Sequence, residues 1–265
     1  MPALSPAQVR TFVDDGCVLL EEAFPRALAD ECRGLLWQQL EAEIGAREDE
    51  PATWTRPVHR IAGRGDAPFR RAATTDRLHS AFDQLAGPGA WTPRLGLGTF
   101  PIRFPHTPLN RLGDPGDAGW HVEGSYAGPG GEFRLGLRSR GRALLLLFLF
   151  SEVTEVDAPT KVRPGSHRDA ARLLAPHGDE GAEFFAFAGE VVPATEHLPT
   201  ALATGAPGDV WLVHPFLVHS AQEHHESRVK FMAQPPLVPT GLLDLDTPDP
   251  TPVALPVREA LPQTS

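Results

Sequence analysis

From Trp91 onward the apolar residues of this chain come in strand-length stretches, each closed by proline, glycine or a polar turn. They run Gly98 to Phe104, Trp120 to Tyr126, Ala143 to Glu152, Val162 to His167, Val210 to Val218 and Val229 to Leu237. Nothing between them carries the alternating helices that a parallel α/β sheet requires. What remains is a β-rich core of the sandwich or jelly-roll kind. The 28 prolines and 25 glycines, a fifth of the 265 residues, point the same way, because average usage is about 12% and both residues weaken helix interiors. They are spread through apolar segments and form no repeat, and 41% of the chain is apolar, so a folded core is expected and not disorder.

Before Trp91 the texture is helical. Ser5-Pro6 is an N-cap and first-turn pair, Val9, Phe12 and Val13 recur at helical spacing, and Gly16 supplies a stop. Cys17 to Leu20 reads as a strand. Pro25 then opens a helix whose Leu28, Cys32, Leu35, Leu36 and Leu40 form one stripe to about Ile44. Arg47 to Phe69 is charged and aperiodic and reads as loop, and Thr75 to Ala86 reads as a third helix ended by Gly87-Pro88-Gly89. No linker separates the helical part from the strands. The expectation is a single domain over 1–265: a mainly helical part at 1–90, a β core at 91–238, and a proline-rich acidic tail at 239–265 that either wraps the domain or hangs free.

Twenty-four basic against 34 acidic side chains give a net charge of −10, which argues against a nucleic-acid partner. The longest apolar run, Ala143 to Phe150, is far short of the roughly 20 residues of a membrane helix. The two cysteines, Cys17 and Cys32, lack the close pairing of a zinc or redox motif. No basic segment followed by an apolar stretch begins the chain. A soluble, cytoplasmic protein acting on a small-molecule substrate is expected.

The chemistry is expected among the 11 histidines. In Trp120-His121-Val122-Glu123, His121 and Glu123 are two apart, so an extended backbone puts both side chains on one face. An imidazole and a carboxylate so placed, completed by a distant histidine, make the facial triad that holds Fe(II) with positions left open. His219 closes the apolar stretch Val210 to Val218 and is the leading third ligand; His224 and His225, in a polar connection, compete with it. His214, five residues before His219, falls on the opposite face and reads as a core residue. Arg228 begins the next segment and could offer a fork to a carboxylate. Arg103 is a charge within an apolar strand and needs an anionic partner: a cosubstrate carboxylate, a substrate anion, or, slightly favoured, a structural Asp or Glu. Tyr126 either faces the pocket as a substrate contact or packs.

Taken together, these stretches resemble the phytanoyl-CoA dioxygenase-like Fe(II)/2-oxoglutarate oxygenases. The resemblance is carried by Leu4-Ser5-Pro6-Ala7-Gln8-Val9 with Asp15-Gly16, His121-Val122-Glu123-Gly124, Pro164-Gly165-Ser166-His167-Arg168, and Gly208-Asp209-Val210 leading to His214-Pro215 and His219. It implies a double-stranded β-helix (jelly-roll, cupin-like) core with N-terminal helices. It further implies Fe(II) on His121, Glu123 and His219, and the distal carboxylate of 2-oxoglutarate on Arg228. The reaction implied consumes O2 and 2-oxoglutarate, releases succinate and CO2, and oxidises a C–H bond, hydroxylation being the default. Two departures stand out. The usual carboxylate ligand is Asp, whereas position 123 is Glu, as in oxygenases of the clavaminate synthase kind. A serine that some members place two residues after the distal histidine is here Ala221, with Ser220 one residue earlier. A carboxylate at 123 argues against halogenation, because halogenating relatives carry a small residue there. The alternative from another class is a cupin-like metal isomerase or lyase, or a degenerate member that only binds a ligand.

Overall fold

The computed structural model describes residues 2–106, 116–123, 126–225 and 227–262. Helix Pro6–Asp15 starts at Ser5, whose hydroxyl accepts the Gln8 N–H while the Gln8 side chain accepts the Ser5 N–H. This reciprocal cap satisfies donors that a helix start leaves open. The helix stops at Gly16, whose φ of +80° suits glycine. Helices Arg26–Ile44 and Asp76–Ala86 lie where their apolar stripes predict.

The largest sheet sets Cys17–Leu20, Val210–Val213, Leu144–Leu149 and Met232–Ala233 side by side, all antiparallel, with Pro236–Leu237 also paired to Leu144–Leu149. A second antiparallel sheet orders His219–Ser220, Thr160–Val162 and Ala201–Ala203. Leu144–Leu149 is buried throughout because both its faces are covered. Leu144, Leu146 and Phe148 pack with Phe12, Leu36 and Phe82 of the helical layer, whereas Leu145, Leu147 and Leu149 meet Val162 and Ala203 of the second sheet. Side chains alternate along a strand, so an unbroken apolar run is what a doubly covered strand needs. The result is mainly β with flanking helices: a jelly-roll core whose two sheets enclose an apolar interior.

Several expectations are corrected. The segment 47–69 is not all loop: Val58–Ile61 pairs with Phe100–Arg103, and helix Ala67–Ala73 follows. Of Val162 to His167 only the first residue is strand, because Gly165, with φ +87°, turns the chain into helix Ser166–Leu174. Within Trp120 to Tyr126, Gly124 and Ser125 lie outside the described residues; His121 forms an isolated bridge, and Tyr126–Ala127 starts a small sheet with Phe133–Leu135 and Ala182–Glu183. Pro235, which has no N–H to donate, separates Met232–Ala233 from Pro236–Leu237. The tail wraps: Val253 N–H bonds the Leu85 carbonyl, and helix Ala254–Ala260 packs Ala254 and Val257 against Ala170, Ala171 and Leu174. Among the described residues no helix is long and apolar enough to cross a membrane.

Candidate metal centre

His121 and His219 face each other across a backbone bridge in which each N–H bonds the other's carbonyl at 2.9 Å. Directly opposed residues point to the same face, and the two imidazole centroids are 4.5 Å apart. Glu123, two residues past His121, joins them, its Oε1 3.5 Å from His219 Nε2. Ligand-capable atoms of these three residues all lie within 4.8 Å of one another, and among the described residues this is the one such group that could hold a metal ion.

Each imidazole is oriented by its own chain. His121 Nδ1 lies 2.8 Å from the Gly119 carbonyl, and His219 Nδ1 lies 2.9 Å from the Leu217 carbonyl. A carbonyl only accepts, so in both rings Nδ1 carries the hydrogen and Nε2 keeps its lone pair for a metal. Burial and the neighbouring His219 lower the His121 pKa, favouring the neutral form that ligates. Burial alone would raise Glu123, but the adjacent His219 and the Arg142 charge outweigh it and hold the carboxyl at about 2. An Nε2 from each imidazole and a carboxylate oxygen are thus turned toward one another.

The cavity in front of them has a volume of about 200 Å³. Besides the three it is lined by Leu145, Leu147, Thr160 and Met232 from the sheets, and by Arg103 and Lys230. Arg103 and Lys230 form a second backbone bridge, with N–H to carbonyl distances of 3.1 and 2.9 Å, so both project the same way. Arg103 is paired at 2.7 Å with Asp117, which Arg60 also contacts, so the structural acid slightly favoured from sequence is present while the guanidinium still lines the cavity. Lys230 is 2% exposed and its Nζ donates to the Ala158 carbonyl; among the described residues no carboxylate lies within ion-pair distance of it. Burial, and next the Arg103 charge, push its ammonium down to about 7.

Arg228 is not in this cavity. It sits in a bend before the Lys230 bridge, where the backbone is not yet in register, with its side chain 54% exposed and 3.3 Å from Asp157. It lines a separate cavity with Arg33, Trp37 and Trp54. Tyr126 does not line the metal cavity either: its hydroxyl donates to the Glu180 carbonyl at 2.8 Å, and Arg140 lies 4.9 Å over its ring. His214 is buried, bonded to the Val253 carbonyl, and His167 beside it bonds the Val13 carbonyl. His225 is exposed and His224 buried, and neither belongs to the metal-capable group. Ser220 is occupied by the Ala118 carbonyl, while Ala221 lines the cavity. The sequence holds two lysines, Lys161 and Lys230, and neither has a local context that marks it for the site, although a charge inside the apolar Val229 to Leu237 segment is the same signal that singles out Arg103.

The family model for phytanoyl-CoA dioxygenase matches residues 12–231. The chain belongs to the phytanoyl-CoA dioxygenase family. As a family member it is an oxidoreductase of the Fe(II)/2-oxoglutarate oxygenase type. No curated protein gives a significant match. Among solved structures it resembles the non-haem α-ketoglutarate-dependent carbocyclase SnoK from nogalamycin biosynthesis, at 18% identity and a TM-score of 0.56, covering 87% of this chain and 82% of that one. It also resembles EctD from S. alaskensis with 2-oxoglutarate and 5-hydroxyectoine, at 19% identity and TM-score 0.54, over 88% and 75% of the two chains. HygX from Streptomyces hygroscopicus with nickel and 2-oxoglutarate bound gives 18% identity and TM-score 0.52, over 88% and 86%. At these identities the family member shares their fold.

Proposed function

We propose that the chain binds Fe(II) on His121, Glu123 and His219 and uses 2-oxoglutarate and O2 to oxidise a C–H bond of a small organic molecule, hydroxylation being the default outcome. The observation that carries this is the cluster itself: three ligand atoms within 4.8 Å, with both imidazoles turned Nε2-outward by carbonyls two residues upstream. Iron held there would supply the activation of O2 at the expense of the keto acid. The protein's part is to bind and orient. Lys230 and Arg103 supply the cationic end that a dicarboxylate requires, and Lys230 is buried with no carboxylate within ion-pair distance among the described residues, so it is the cation more in want of an anion. Leu145, Leu147 and Met232 keep the cavity wall apolar and limit water beside the reacting centre. The Phe184 ring stands edge-on to that of His121, 5.9 Å between centroids, and helps hold the imidazole in place. The fold shared with a carbocyclase and with EctD supports small-molecule oxidation as the reaction class.

The test is an anaerobic titration of the purified protein with Fe(II) and then 2-oxoglutarate, following the weak visible charge-transfer absorption of a chelated keto acid. Wild type should develop the band, His219→Ala should not, and Lys230→Met should need far more 2-oxoglutarate. Iron binding without any band at high 2-oxoglutarate would defeat the dioxygenase reading and favour non-redox metal chemistry.

A further inference from the structure

The two oxygens of Glu123 keep different company. Oε1 faces the histidines, 3.5 Å from His219 Nε2, whereas Oε2 is 3.3 Å from Arg142 Nη2. Arg142 has 11% of its side chain exposed, its Nε is buried without a hydrogen-bond partner, and Glu123 is its one ion-pair partner among the described residues. It does not line the metal cavity but a separate one of about 340 Å³, bounded by Ala86, Leu243 and Val253, so the cation approaches the carboxylate from outside the metal cavity. Its backbone is well anchored. The Ser139 hydroxyl donates to the Arg142 carbonyl, and the next residue, Ala143, bonds the Leu237 carbonyl at 2.7 Å where the doubly buried strand begins.

A metal site of this type needs positions free for a bidentate keto acid and for O2. A carboxylate that gives the metal one oxygen leaves those positions open; one that gives both oxygens takes one of them. Glutamate is one methylene longer than aspartate and has the freedom to swing its second oxygen inward. We infer that Arg142 is a positioning residue that holds Oε2 of Glu123 away from the metal, so that Glu123 ligates through Oε1 alone and a coordination position stays free for 2-oxoglutarate. The inference rests on the assignment of the metal to His121, Glu123 and His219. A charge-assisted hydrogen bond to a carboxylate is strong enough for the task, and its loss should cost about tenfold in an affinity that depends on it.

The experiment compares wild type, Arg142→Met and Arg142→Lys as whole chains under anaerobic conditions. It measures Fe(II) affinity, 2-oxoglutarate affinity of the Fe(II)-loaded protein, thermal midpoint, and the infrared carboxylate stretches of isotope-labelled Glu on metal addition. Arg142→Met should bind Fe(II) at least as tightly as wild type and 2-oxoglutarate about tenfold more weakly. Its labelled carboxylate stretches should draw together, the mark of bidentate ligation, and Arg142→Lys should restore most of both effects. Unchanged 2-oxoglutarate affinity in Arg142→Met overturns the inference. So does a parallel loss of Fe(II) affinity, 2-oxoglutarate affinity and thermal midpoint, which is what a merely structural residue would give. Failure of wild type to bind Fe(II) overturns the metal assignment itself, and Arg142's role with it.

Discussion

Lys230 makes the affinity for 2-oxoglutarate depend on pH. Its ammonium is pushed down to about 7 by burial and then by the Arg103 charge, so it loses its proton within the working range. If the carboxylate of 2-oxoglutarate binds only the charged form, apparent affinity scales with the charged fraction. That fraction falls from about three-quarters at pH 6.5 to about 3% at pH 8.5, a loss of about 25-fold in affinity for a group titrating at 7. The neighbouring groups with shifted values do not titrate in that window. At Asp117, burial is outweighed by the hydrogen bond and charge of Arg103; at Asp157, it is outweighed by bonds from Thr154. Both carboxyls are thereby lowered, and burial takes His224 down to about 4. The assay is calorimetric titration of the Ni(II)-loaded protein with 2-oxoglutarate from pH 6.5 to 8.5, in buffers of contrasting ionisation enthalpy. Wild type should weaken about 25-fold and take up nearly one proton per ligand at pH 8.5, whereas Lys230→Arg should stay nearly flat. A wild-type profile no steeper than that of Lys230→Arg refutes the reasoning. The same shift acts on the free protein with the opposite sense. The unfolded chain keeps this proton up to about 10.4, so between about 7 and that value the unfolded state holds the extra proton and the Lys230 contribution to stability rises with pH. Lys230→Met should lack that rise.

Arg228→Ala should leave 2-oxoglutarate affinity within about twofold of wild type, because the side chain is half exposed, tied to Asp157 and outside the metal cavity; a tenfold loss by the same calorimetry would return it to the site. Gly16→Ala should destabilise by about 2 kcal/mol or more in urea melts, since φ is +80° and an added Cβ would fall 2.6 Å from His167 Nδ1; a change under about 0.5 kcal/mol would mean the turn and histidine shift freely. Burial pushes the Cys17 and Cys32 thiols up to about 12, so neither should react with a disulfide reagent at pH 8 until the chain unfolds; rapid labelling of the native protein would contradict this.

The long local patterns were the most legible. The stripes of Pro6–Asp15, Arg26–Ile44 and Asp76–Ala86 are set by helical spacing with stop or cap residues, and Leu144–Leu149 by an unbroken apolar run, all within a few residues of chain. Helices Phe184–Ala194 and Ala254–Ala260 were not legible, because one contains Pro193 and the other lies in a proline-rich tail whose order comes from packing on Ser166–Leu174. At the site, the two-residue spacing of His121 and Glu123 announces a shared face and the end of an apolar stretch ranks His219 first as third ligand; the backbone bridge that joins His219 to His121, nearly a hundred residues away, is encoded by no local pattern. The family resemblance puts the far carboxylate of 2-oxoglutarate on Arg228, whereas the bend at Ser227 and Arg228 precedes the backbone pairing that sets Lys230 beside Arg103 at the cavity. Arg142 gave no signal at all, since its role depends on where the turn before Leu144–Leu149 falls in space.

The central claim, that His121, Glu123 and His219 hold iron, is tested most directly by anomalous diffraction at the iron edge from crystals grown anaerobically with Fe(II) and 2-oxoglutarate. One strong peak is expected within coordination distance of His121 Nε2, His219 Nε2 and Glu123 Oε1, with the far carboxylate of the keto acid on Lys230 and Arg103. A peak on other side chains, or none at saturating Fe(II), would contradict it.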